Sequence, residues 1–216
     1  MSQQYKLIRC NINGKDVEKM VDVRASLTDM LRNDYHLTSV KKGCEVGECG
    51  ACTVLIDGET FNSCIYLAVW ADGKHIRTLE GLLSPDGDPS DIQKAFMEES
   101  AIQCGFCTPG FLMTAVEILD SGKLYSDEEL RKLLSGHLCR CTGYENIFKA
   151  VKKTMLRRLG MLDDPFLGPV RPSSVVMCLP SAHTARYRQE LKHSPSISTL
   201  QAPHSPTSQP FFTEVM

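Results

Sequence analysis

Eight of the chain's ten cysteines fall into two groups of four. The first is Cys44, Cys49, Cys52 and Cys64; the second is Cys104 and Cys107 with Cys139 and Cys141. Thiolates are soft metal ligands, and four of them suit either an iron–sulfur cluster or a zinc ion. Two redox-active clusters in one small protein would form a short path for single electrons.

The first group has the spacing C-x4-C-x2-C, then eleven residues, then a fourth cysteine. That order is the one used by plant-type 2Fe–2S ferredoxins. Three ligands must come from one loop, and Gly43, Gly47 and Gly50 let that loop take positive φ and bring backbone N–H groups toward sulfur. Cys64 must return from a separate segment. A structural zinc site is the competing reading, but zinc sites usually pair two C-x-x-C knuckles and one is missing here.

In the second group, Cys104-x2-Cys107 and Cys139-x-Cys141 are separated by thirty-one residues. Alone, CGFC resembles a thioredoxin-type redox pair, which would need a strand before it. The preceding AFMEESAIQ reads as helix instead, and the second pair would go unexplained. The spacing places both pairs just ahead of helix starts, at Thr108 and Thr142. There, free N–H groups and the helix dipole can offset a negatively charged cluster. Zinc competes here too.

The elements that must position these residues change character along the chain. Residues 5–13 and 15–23 read as strands joined by Asn13-Gly14, a two-residue hairpin signal. Ser26 with Asp29 forms a capping box for a helix carrying Leu27, Met30 and Leu31. Residues 51–57 read as a strand, Asp57-Gly58 as a turn, and 75–79 as a further strand. This order suggests a β-grasp arrangement. Beyond Pro85 every segment reads as helix. Asp88 and Pro89 open one, Thr108-Pro109 a second that is apolar nearly all round and so buried, Ser126 with Glu129 a third, and Thr142 with Glu145 a fourth. The predicted class is α+β: a ferredoxin-like β-grasp domain over 1–82, a four-helix domain over 83–160, and a low-complexity disordered tail over 161–216. Eight of the eleven prolines lie in that last stretch, and periodicity fades there.

Net charge is −2 and the pI is about 6.3, so composition points to neither nucleic acid nor an anionic membrane as partner. The sequence shows no secretory signal and no spanning apolar run. The expected location is the cytoplasm, where dense cysteines are metal ligands before they are disulfides.

The segments KKGCEVGECGACTVLIDG, QCGFCTPGFLM and GHLCRCTGYENI resemble the iron–sulfur subunit of the molybdenum hydroxylases, the xanthine dehydrogenase and aldehyde oxidase family. The resemblance covers about residues 4–158, and SCIYLAVWADGKHIRTLEGL is most similar to bacterial xanthine dehydrogenase small subunits. It implies one 2Fe–2S cluster per domain. It also implies a large partner subunit holding a molybdopterin cofactor, where chemistry occurs, and a medium subunit holding FAD. This chain would relay electrons between them and have no catalytic residues of its own. Gln103 and Cys141 would lie against the pterin.

Other residues have plainer readings. Cys10 is expected in the core, and Trp70 at the domain junction. Lys41 and Lys42 either offset cluster charge or face solvent, and Arg140 pairs with cofactor phosphate or with solvent. His36, His75 and His137 could be Rieske-type ligands, but both groups already hold four cysteines. His137 could instead tune its neighbouring cluster by a hydrogen bond. Two functional alternatives stand beside the subunit reading: a free-standing two-cluster carrier and a zinc-stabilised interaction module.

Overall fold

A computed structural model describes residues 4–84 and 86–162. The expected tail therefore lies, from residue 163 onward, outside the described residues.

β1 (Tyr5–Ile12) and β2 (Lys15–Asp22) form an antiparallel hairpin. Asn13 and Gly14 both take positive φ, 51° and 83°, the geometry a two-residue turn needs to match strand twist. The same device recurs at Asp57-Gly58 between β3 (Thr53–Ile56) and β4 (Glu59–Asn62). With β5 (His75–Arg77) they make a mixed five-stranded sheet in the order β2-β1-β5-β3-β4, where only β1 and β5 run parallel.

At the helix expected after Ser26 the box is half formed: Ser26 accepts from the Asp29 N–H, while the Asp29 carboxylate takes the Ser26 hydroxyl rather than its N–H. It is regular only over α1 (Leu27–Asp29), then widens into a π-type turn over Met30–Asp34. Leu27, Met30 and Leu31 still face inward and close the sheet's core with Ile8, Val54 and Ile76. Cys10 belongs to this core, and burial raises its thiol to about 11.

The second half holds α2 (Asp91–Glu98), α3 (Thr108–Asp120), α4 (Asp127–Leu134) and α5 (Glu145–Arg158). Their core unites Ile92, Phe96, Phe111, Leu130, Ile147 and Val151. As its all-round apolar pattern requires, α3 is the buried helix. Every residue from Thr108 to Leu119 except Glu117 is buried. The reason is visible in β3, whose four residues are all buried. Val54 and Ile56 serve the sheet's own core, while Leu55 serves the helical one. Glu117, the polar exception, accepts a hydrogen bond from Thr60 on β4 at 2.6 Å.

Three expectations about helix ends are corrected. The N-cap of α2 is Ser90, which forms a capping box with Gln93; Asp88 and Pro89 lie before it. Cys107 itself is the N-cap of α3, with Thr108 already helical. The N-cap of α5 is Tyr144 in the left-handed region (φ 69°), not Thr142. Ser126 and Glu129 form the expected box at α4. Trp70 does not pack at the junction: it is 55 % exposed on a 3₁₀ turn over Ala68–Ala71, edge-on to Tyr66. No helix among the described residues is long and apolar enough to cross a membrane.

Candidate metal centres

The loop from Gly43 to Cys52 turns on positive φ at Glu45, Gly47 and Gly50. Gly43 lacks positive φ; a side chain there would collide with the Cys49 sulfur, so its role is close approach. The loop aims three N–H groups at one sulfur: those of Val46, Glu48 and Cys49 lie 3.5, 3.3 and 3.4 Å from Cys44 Sγ. These bonds, led by Val46, hold the Cys44 thiol down at about 6. Cys64 arrives where the chain turns back after β4. It interacts with the Cys52 thiol and senses Cys44, and burial above all raises it to about 11. The two pairs within the first group are thus Cys44 with Cys49 and Cys52 with Cys64.

The second group also assembles in pairs. Cys104 Sγ and Cys141 Sγ stand 3.7 Å apart, and both residues are exposed. Cys107 is buried at the head of α3 and interacts with Cys139; burial leads the causes that push it up to about 12. Burial is the largest single influence and would raise Cys139 too, but the bonds from Thr142, the Cys141 N–H and Cys107 together outweigh it and the thiol is lowered. Thr142 Oγ1 lies 3.1 Å and Thr142 N–H 3.4 Å from Cys139 Sγ. This bond takes Thr142 away from the capping role its sequence suggested. Tyr144 answers by accepting the Cys139 N–H on its hydroxyl at 3.0 Å.

Among the described residues all nine cysteines are free of disulfides, and no three His, Cys, Asp or Glu side chains converge tightly enough to hold a single ion. A zinc ion needs its ligands at about 2.3 Å from one point. Four thiols arranged as two pairs suit two bridged irons, with each pair on one metal. The donor set, the pairing and the N–H groups aimed at sulfur all fit 2Fe–2S clusters in both groups.

The remaining candidates separate. Gln103 is exposed beside Cys104, with Ile102, Phe106, Leu138 and Tyr144 also partly or largely open around the second group. Lys42 is committed to Asp29 and Glu45, at 2.9 and 3.1 Å, rather than to sulfur. Arg140 is exposed. The sequence leaves His137 between a bystander and a hydrogen-bond donor to its neighbouring cluster; in the structure both ring nitrogens have other partners, Gly50 O at 3.2 Å and Thr114 Oγ1 at 2.7 Å. Burial lowers it to about 4. Nothing in the spacing of His137 signals these contacts, because both partners are remote in sequence.

Residues 10–78 match a 2Fe-2S iron-sulfur cluster binding domain, and residues 78–152 a [2Fe-2S] binding domain. The chain is 51 % identical over 144 residues to the nicotine 6-hydroxylase small subunit of Paenarthrobacter nicotinovorans, covering 67 % of this chain and 86 % of that one. It is 48 % identical over 146 residues to the xanthine dehydrogenase iron-sulfur-binding subunit of Escherichia coli O157:H7, covering 67 % and 91 %. Among solved structures, quinoline 2-oxidoreductase from Pseudomonas putida 86 superposes with a TM-score of 0.68 at 44 % identity, over 74 % of this chain and 99 % of that chain.

Proposed function

Because the chain belongs to the iron–sulfur small subunits of the molybdenum hydroxylase family, we propose that it carries two 2Fe–2S clusters and relays electrons from a molybdopterin-containing subunit to an FAD subunit. The observation that carries this reading is the paired convergence of two complete four-cysteine sets within one small fold. Cys44, Cys49, Cys52 and Cys64 hold one cluster in the domain over 1–82; Cys104, Cys107, Cys139 and Cys141 hold the other in the domain over 83–160. When bound, each cluster takes up and gives back one electron at a time.

The chain's own residues supply the rest. The open surface at Cys104 and Cys141, with Gln103 beside it, faces the molybdopterin subunit, where Gln103 bonds the pterin edge. The first group's loop lies toward the FAD subunit. Where the two loops meet, the Leu138 N–H donates to Cys49 O at 3.1 Å, which joins a ligand of one set to the neighbour of a ligand of the other.

The assembled enzyme is of the xanthine dehydrogenase type in architecture. Its substrate is a nitrogen heterocycle, the class named by nicotine, xanthine and quinoline in the relatives, and the large subunit's pocket selects among them. The complex works in the cytoplasm. Anaerobic purification, iron assay and dithionite titration test the cluster reading: about four irons per chain are expected, with visible bands that bleach on reduction. A colourless, zinc-loaded chain would end it. Co-purification with a molybdenum-containing subunit separates the subunit from a free-standing carrier.

A further inference from the structure

Between the two cysteine loops lies a polar side chain that serves as no ligand. His137 is 5 % exposed, and its ring sits 4.6 Å from the Phe111 ring. Two glycines make room for it. A Cβ on Gly50 would strike His137 Nδ1 and the Gly136 carbonyl, and one on Gly110 would strike Gly50 O. The imidazole therefore fills a junction where the first cysteine loop, the first turn of α3 and the approach to Cys139 all meet.

Its bonding is fixed by elimination. Gly50 O can only accept, so Nδ1, at 3.2 Å, carries the hydrogen. Nε2 of the neutral ring then accepts from Thr114 Oγ1 at 2.7 Å. One ring thus ties a carbonyl one residue from Cys49 to a hydroxyl on α3, and its own backbone leads within two residues to Cys139. The adjacent Leu138 N–H to Cys49 O bond, at 3.1 Å, closes the same seam.

We propose that His137 is a positioning residue that fixes the spacing and orientation of the two cysteine groups, through its bond to Gly50 O above all. This rests on the reading that both groups hold 2Fe–2S clusters. Electron tunnelling and magnetic coupling between two centres both fall steeply with distance, so a loosened seam would be felt in both.

Three variants separate bonding from filling. His137→Asn places an amide N–H where Nδ1 stands and keeps the bond to Gly50 O. His137→Gln reaches the Nε2 position and keeps only the Thr114 side. His137→Phe fills the volume with no polar atom. In the dithionite-reduced full chain, both cluster signals should persist in all three. The magnetic splitting between them should survive in His137→Asn and collapse in His137→Phe and His137→Gln. Hydrogen exchange at the Leu138 amide should quicken by about tenfold in those two, as loss of one buried hydrogen bond implies. Splitting and exchange in His137→Phe equal to the native chain would overturn the proposal, as would an Asn variant as loose as the Phe one. Should the Phe variant not fold, the Asn and Gln pair decides. Exchange at Leu138 is read whatever the iron content, whereas the iron assay alone judges the cluster reading, so the two failures remain distinct.

Discussion

The two cysteine groups solve one problem in different ways. The first is a single loop bent by glycine turns, with three N–H groups on Cys44 Sγ and one cysteine returning after β4. The second joins two distant segments, and the packing of α3 against α4 and α5, with the His137 bond to Thr114 on α3, brings Cys107 to Cys139. The first site is therefore written into local backbone geometry, and the second into a tertiary core. Their exposure differs as well: each group has one buried cysteine, Cys52 or Cys107, but only the second has exposed ones, Cys104 and Cys141.

The sharpest way to break this comparison is to remove one ligand. Cys49→Ser should abolish the ferredoxin-type EPR signal and about half of the iron, leaving the other signal intact. Loss of both signals would show that the halves do not load independently. Next in size is a core deletion. Leu130 on α4 is fully buried, and Leu130→Ala should cost about 2–5 kcal/mol in denaturant unfolding. Iron should leave the second group before the first; an even loss would contradict the local-versus-tertiary distinction.

Acid gives a smaller effect. Burial alone would raise the Asp91 carboxyl, but two hydrogen bonds from Arg158, at 2.7 and 2.8 Å, with the Ile92 N–H, outweigh this and hold it below the usual carboxylate range. A depressed folded value means that Asp91 stabilises above its unfolded value, about 3.9, and that this contribution is lost as pH falls through the folded one. Asp91→Asn should cost about 1 kcal/mol at neutral pH. The native and variant melting curves should draw together below about pH 4. A constant gap across that range would refute the assignment. The smallest change is Trp70→Phe, on the exposed rim of the sheet half, which should alter stability by less than about 0.5 kcal/mol. Acrylamide should quench Trp70 fluorescence freely in the isolated chain.

What was legible in the sequence is what short-range sterics decide. Asn13-Gly14 and Asp57-Gly58 needed positive φ, and Ser126 with Glu129 needed only each other. The apolar sweep of α3 told its burial because no surface helix can carry that pattern. The misses arose where a distant partner outbid a local one. Thr142 was drawn from its cap to the Cys139 sulfur, and a tyrosine took up the left-handed position instead. His137 likewise spends its polar atoms on Gly50 and Thr114, eighty-seven and twenty-three residues away. Trp70, expected at the domain junction, instead rides a 3₁₀ turn that leaves its ring exposed beside Tyr66.

Cys10 sits mid-strand opposite Val17, walled off from water and pushed toward a value where little thiolate exists at neutral pH. An alkylating reagent can reach it only when the hairpin opens. The rate at which the peptide carrying Cys10 becomes labelled is therefore a built-in gauge of how often the β-sheet half comes apart, readable by mass without any substitution in the chain.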